Sequence, residues 1–218
     1  MIRLACVLGL AAGALCAPAT ADVILLSHTR EILARADDPA GSFTQMGRSS
    51  PDGGVFNESV SASAGSHSGF ASLNSLVSTT LITGLAETRG AGNLGFPLGQ
   101  GFGDATMSVQ FEVTQATPYR LSGEFSASGS DAGGGLSFFG PAGSVYGLVA
   151  TPGGGYLETF DESGVLAPGV YELNANIAAS VFSPPGADGS FNFVLQVPTP
   201  GAAALLGIGV LGVARRRR

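Results

Sequence analysis

From residue 106 to residue 197 the sequence alternates between apolar and polar positions, interrupted at short intervals by Gly, Pro, Asp and Ser. This period of two most constrains the fold. Successive side chains of a strand point to opposite faces, so alternation builds one apolar face, whereas a helix needs apolar residues three and four apart. The clearest case is 190–197, where Phe191, Phe193 and Leu195 alternate with Ser190, Asn192, Val194 and Gln196. Six further segments read as strands: 106–113, 119–127, 135–139, 144–149, 155–160 and 169–179. In the last of these Val170, Leu173, Ala175 and Ile177 change phase once, which predicts a bulge or an edge position. Pro118 and the triplet Ala167-Pro168-Gly169 fall at strand starts, where turn chemistry places them.

Composition agrees with this. The 218-residue chain holds 34 Gly and only 12% charged residues. Gly costs about 1 kcal/mol relative to Ala inside a helix, which argues against a helical bundle. The fold class expected is all-β, a sandwich with jelly-roll-like character, with a leader in front and a short apolar helix behind. The front of this passenger is less regular. Residues 23–26 can begin a strand, 31–36 suit one or two helical turns, and 42–78 suit weak strands between long loops. The expected organisation is therefore a leader over 1–21, a passenger over 22–196 that is irregular to 104 and clearer from 105, and a tail over 197–218.

The two ends carry targeting chemistry. Met1-Ile2-Arg3 is followed by an apolar stretch over 4–15 and then by Ala19-Thr20-Ala21 before Asp22. A basic start, an apolar run of this length and an A-x-A site make a secretory signal, with cleavage expected after Ala21. Leu15 occupies the place where a lipidated cysteine at 16 would need a small residue. Both cysteines, Cys6 and Cys16, lie in this leader, so the mature chain is expected to hold no disulfide and no cysteine metal site. At the other end Val197-Pro198-Thr199-Pro200-Gly201 precedes an apolar run over 202–214 and then Arg215, Arg216, Arg217 and Arg218. The prolines keep the chain extended, as a processing enzyme requires of its substrate. Residues 201–214 make about 21 Å of helix, short of the ~30 Å hydrocarbon core, so the anchor is weak. The four arginines orient its end toward the cytoplasm.

Val-Pro-x-Pro, a glycine-punctuated Ala and Leu run and a terminal arginine cluster together resemble the PEP-CTERM sorting signal of bacterial exported proteins. The namesake motif most often has Glu where this chain has Thr199. The resemblance implies export through the Sec translocon, a transient stay in the membrane, and cutting near 198–200 by the membrane enzyme exosortase. The chain would be the substrate of that reaction, and its destination the cell surface or extracellular matrix. Two phrases of the passenger, Thr117-Pro118-Tyr119-Arg120-Leu121-Ser122-Gly123 and Ser163-Gly164-Val165-Leu166-Ala167-Pro168-Gly169-Val170-Tyr171, resemble a pattern of small jelly-roll and carbohydrate-binding sandwiches. There the tyrosine packs into the core, so Tyr119 and Tyr171 are expected as packing residues.

No constellation for catalysis stands out. Residues 90–95 match G-x-G-x-x-G, but Phe96-Pro97 follows where a dinucleotide site needs a helix, so this reads as a glycine loop. Gly65-Ser66-His67-Ser68-Gly69 has His where a nucleophile elbow has Ser. The only other histidine is His28, and the two are expected at the surface. The acids Asp37, Asp38, Glu158, Asp161 and Glu162 are the candidates for paired-acid or calcium chemistry. Asp161-Glu162-Ser163-Gly164 is expected in a turn. Five arginines against sixteen acids leave 22–200 with a net charge of −11, which repels nucleic acid. The expectation is a non-enzymatic surface or matrix protein, without cofactor or metal, associated with extracellular polysaccharide. The alternatives are a carbohydrate-binding module and a secreted glycan hydrolase.

Overall fold

The computed structural model describes residues 22–92, 99–129, 131–181 and 186–198. Among them the chain is all-β. The strands are β1 (Val23–Asp37), β2 (Phe43–Ser50), β3 (Gly54–Ala64), β4 (His67–Val77), β5 (Leu81–Ala91) and β6 (Gln100–Val113). They continue with β7 (Thr117–Ser128), β8 (Ala132–Gly140), β9 (Gly143–Ala150), β10 (Tyr156–Leu166), β11 (Gly169–Val181) and β12 (Ala187–Gln196). Two six-stranded antiparallel sheets result, one ordered β2-β1-β6-β11-β8-β9 and the other β10-β7-β12-β5-β4-β3. They stack face to face over a single core. From β5 onward the pairing is nested, β5 with β12, β6 with β11, β7 with β10 and β8 with β9. The hairpins β1-β2 and β3-β4 extend the two sheets on one side.

All seven segments read as strands from the sequence are strands. In β12, Phe191, Phe193 and Leu195 are at most 1% exposed, as the alternation requires. Three expectations are overturned. Residues 31–36 are not helical but lie within β1, where Ile32, Ala34 and Ala36 point inward. Backbone pairing to β2 on one side and β6 on the other decides the matter against a short helix. The front half is not irregular either, since 42–78 holds β2, β3 and β4 joined by tight turns. Its inward residues are small, and that hides the alternation: Ala62 and Ala64 in β3, Gly69 and Ala71 in β4, Gly101 and Gly103 in β6. Finally, β11 has no bulge and no edge position. It lies between β6 and β8 in regular register, with Val170 outward and Tyr171 inward. Register shifts occur instead at Leu25/Ser27 and Phe138/Phe139.

The core tapers along the strands. At one end the two sheets meet backbone to backbone. A Cβ on Gly69 would run into the Phe102 carbonyl, one on Gly101 into that of Ser68, and one on Gly103 into that of Phe70. A Cβ on Gly90 would lie 2.7 Å from the Gly101 carbonyl oxygen. At the other end rings from β6, β7, β8 and β11 fill the core. Phe111, Phe138 and Tyr171 stack with centroids 5.7–6.1 Å apart, and Tyr119 meets Phe138 edge-on at 5.7 Å. Sheets that normally pack about 10 Å apart are thus pinched at the glycine end and held open at the aromatic end.

A buried arginine ties the β2-β3 side together. Arg30 is 1% exposed, donates to the Gly54 carbonyl at 2.8 Å and also to the Asp52 carbonyl, and lies 5.4 Å from the Phe56 ring centroid. Burial works against its charge, and nearby Asp52 offsets part of that cost while the two carbonyls satisfy its N–H groups.

The pinch has a direct test. Gly103→Ala is expected to destabilise the fold by about 2–3 kcal/mol in urea denaturation, because a rigid carbonyl occupies the space of the added methyl. Gly155→Ala, with nothing within 4 Å of the added Cβ, is expected to change stability by less than about 0.5 kcal/mol.

Candidate functional site

The edge strand β10 shows why a cleft forms where it does. Its inward positions are Tyr156, Glu158, Phe160, Glu162, Gly164 and Leu166, and only Phe160 and Leu166 are buried. A central strand could not hold two carboxylates on its inner face, because charge in a closed core is costly. At this edge the backbones of β10 and its counterpart β9 across the sandwich stay apart and only long side chains bridge them, so the inner face opens to water. Inward charge on an edge strand also discourages pairing with a foreign strand.

All four tyrosines of the chain gather here, Tyr119, Tyr146, Tyr156 and Tyr171. Tyr146 on β9 and Tyr156 on β10 both donate their hydroxyls to Glu158, Tyr146 at 3.3 Å. The Tyr146 ring packs on Phe160 at 5.2 Å, and Tyr156 meets Phe125 edge-on at 6.2 Å. Burial, then the charge and hydrogen bond of Glu158, push the Tyr146 phenol up to about 12. Tyr156 is pushed up chiefly by its hydrogen bond to Glu158. Glu162 adds to the rise at Tyr146, and at Tyr119, where burial is the larger cause.

Beside this cluster lies a cleft of about 260 Å³, bounded by Tyr119, Tyr171, the turn 140–145 and residues 164–167 of β10 and its end. Glycine makes it possible at two points. The Tyr119 ring lies across Gly164, where an added Cβ would sit 3.0 Å from Cε1, and the Tyr171 ring covers Gly140 too closely for any side chain there. The Tyr171 hydroxyl donates to the Ala167 carbonyl at 2.8 Å, which pins the turn ahead of β11. The packing role expected of Tyr171 is what the structure shows, at 4% exposure. Tyr119 packs on Phe138 as well, yet stays half-buried and lines the cleft. A shallower trough of about 390 Å³ lies along β8 and β9, lined by Gly135, Ser137, Val149 and Asn176.

The remaining candidate residues fall elsewhere. Asp161 is not in a turn but within β10, facing outward, where it accepts two hydrogen bonds from Arg120 at 2.7 Å. That contact holds its carboxyl below the usual range. Asp37 pairs with Arg35 at 3.1 Å, and Asp38 accepts from the Ala40 N–H in the β1-β2 turn. His67 is not at the surface. It is 4% exposed, packed against Gly92 and Gly99, and His28 has both ring nitrogens buried. The reason is the pleat: each sits at an inward position of its strand. Gly90 and Ala91 of the glycine loop close β5, and 93–98 lie outside the described residues. Among the described residues no three His, Cys, Asp or Glu side chains could together hold a metal ion.

Of the tail, Val197 and Pro198 are described. Val197 is 2% exposed and donates its N–H to the Thr80 carbonyl at 3.0 Å, which ties it to the turn ahead of β5. Pro198 is exposed. Thr199, Pro200, Arg215, Arg216, Arg217 and Arg218 lie outside the described residues, as do Ala19 and Ala21 of the leader. No family model matches the chain, and no curated protein matches its sequence.

Titration tests the tyrosine cluster. The folded state holds the Tyr146 phenol above its ordinary value of 10.0, so it favours folding below pH 10 and loses that preference as pH rises toward about 12. Phenolate absorbance of the folded protein is expected to show this late step, and Glu158→Gln to move it to lower pH.

Proposed function

We propose that this chain is a non-enzymatic surface or matrix protein, exported through its leader, sorted by its C-terminal tail and associated with extracellular polysaccharide. The observation that supports the reading is that the Pro-x-Pro segment follows the last described strand directly and begins at an exposed residue. β12 ends at Gln196, Val197 is tied to Thr80, and the Pro-x-Pro segment starts at exposed Pro198. A sorting enzyme acts on extended chain, and Pro-x-Pro is extended by its fixed backbone angle. The −11 charge over 22–200 suits a domain kept soluble outside the cell. The nested pairing of β5 to β12 is the order of a double Greek key, the jelly roll, an architecture used by many lectin domains.

A paired-acid hydrolase is the weaker reading. Glu158 and Glu162 share the inner face of β10, but four residues along a strand place their backbones about 13 Å apart. Carboxyl pairs in glycosidases stand roughly 5–9.5 Å apart across the scissile bond. Glu158 is also held by two phenol hydroxyls.

Intact-mass measurement of the mature protein tests the sorting reading, in cells with and without the tail-processing enzyme. The expected product begins at Asp22 and ends near 198–200. A mature chain that retains Arg215, Arg216, Arg217 and Arg218 in both strains would overturn it.

A further inference from the structure

We propose that the cleft between Tyr119, the 140–145 turn and the end of β10 binds one pyranose ring of a neutral extracellular glycan. The proposal deepens the polysaccharide association above and rests on it. Three observations select this ligand class. The first is shape. A volume of about 260 Å³ lies just under the ~300 Å³ lower end for drug-sized ligands, which leaves room for one sugar ring and not for a nucleotide. The second is surface chemistry. Half-buried Tyr119 gives an apolar face with a polar tip, and the backbone of 140–144 and 164–167 supplies polar groups around it. A pyranose has the matching character, an apolar ring face surrounded by hydroxyls.

The third is charge. Glu162 acts electrostatically on Tyr119 and Tyr146, and Glu158 lies on the same inner face of β10. The arginine nearest in sequence and pairing, Arg120, is on the outer face and is occupied by Asp161. The lining itself is uncharged and the charge that acts on Tyr119 is negative, so a uronic acid or a sulfated sugar would meet like charge there. A glycan without carboxylate or sulfate does not.

The test is affinity electrophoresis of the mature exported protein in native gels cast with galactomannan, soluble mixed-linkage β-glucan or alginate. Retardation is expected in at least one of the two neutral gels and not in the polyuronate. Tyr119→Ala and Ala142→Trp are each expected to weaken it about tenfold, the first by removing the ring face and the second by filling the cleft from the exposed Pro141-Ala142 turn. Ala142→Trp is expected to keep the wild-type melting curve, which separates lost binding from lost folding. Asn176→Ala, in the trough along β8 and β9, is expected to leave retardation unchanged. Retardation that survives both cleft variants would overturn the site while leaving polysaccharide association intact. Retardation confined to alginate would overturn the neutral-ligand assignment. No retardation in any gel would overturn both the cleft and the polysaccharide association, with the tail reading still judged by intact mass.

Discussion

The contact on which this structure depends is the one at which two β-sheets touch through their backbones. Gly69, Gly90, Gly101 and Gly103 leave no side chain between β4 and β5 on one side and β6 and its neighbours on the other. Dispersion between close-packed atoms holds such a contact, and any methyl added there must displace a carbonyl that is already hydrogen-bonded in its own sheet. With one end of the sandwich closed to this degree, the other end must diverge. Phe111, Phe138, Tyr171 and Phe193 fill the widening gap.

The divergence reaches its limit at the corner where the aromatic end meets the β9 and β10 edges. Among the described residues no strand pairs with either edge, and the rings that begin as core become partly wet. A tyrosine is well suited to that boundary, since its body packs and its hydroxyl stays solvated or finds an acceptor. Glu158 is the acceptor for two of them. The cleft beside Tyr119 is thus a consequence of the taper.

Much of the second half was legible in the sequence, because large apolar residues alternate with polar ones there. Phe191, Phe193 and Leu195 announce an inner face without ambiguity. The first half hid the same alternation behind Ala and Gly, whose low hydrophobicity leaves a weak period. Residues 31–36 could then pass for helix, and β2, β3 and β4 for weak strands between long loops. The supposed phase change in β11 came from reading Val170 as an inner residue. It is an outward apolar side chain beside Tyr171, which is common on a half-exposed sheet.

What the sequence by itself determined is local and chemical: the strand periodicity of the second half, the Gly and Pro positions between strands, and the apolar runs at the two ends with their flanking arginines. These depend on neighbours in the chain, so spacing alone reveals them. Only the tertiary structure decided which carboxylates face inward, that all four tyrosines converge on one corner, and that Asp161 belongs to an outer ion pair while Glu158 belongs to the tyrosine cluster. Those facts rest on pairings between residues far apart in sequence, such as β6 with β11 and β7 with β10. No spacing along the chain encodes the width of the gap between two sheets. That width is set by glycine at one end and aromatic rings at the other.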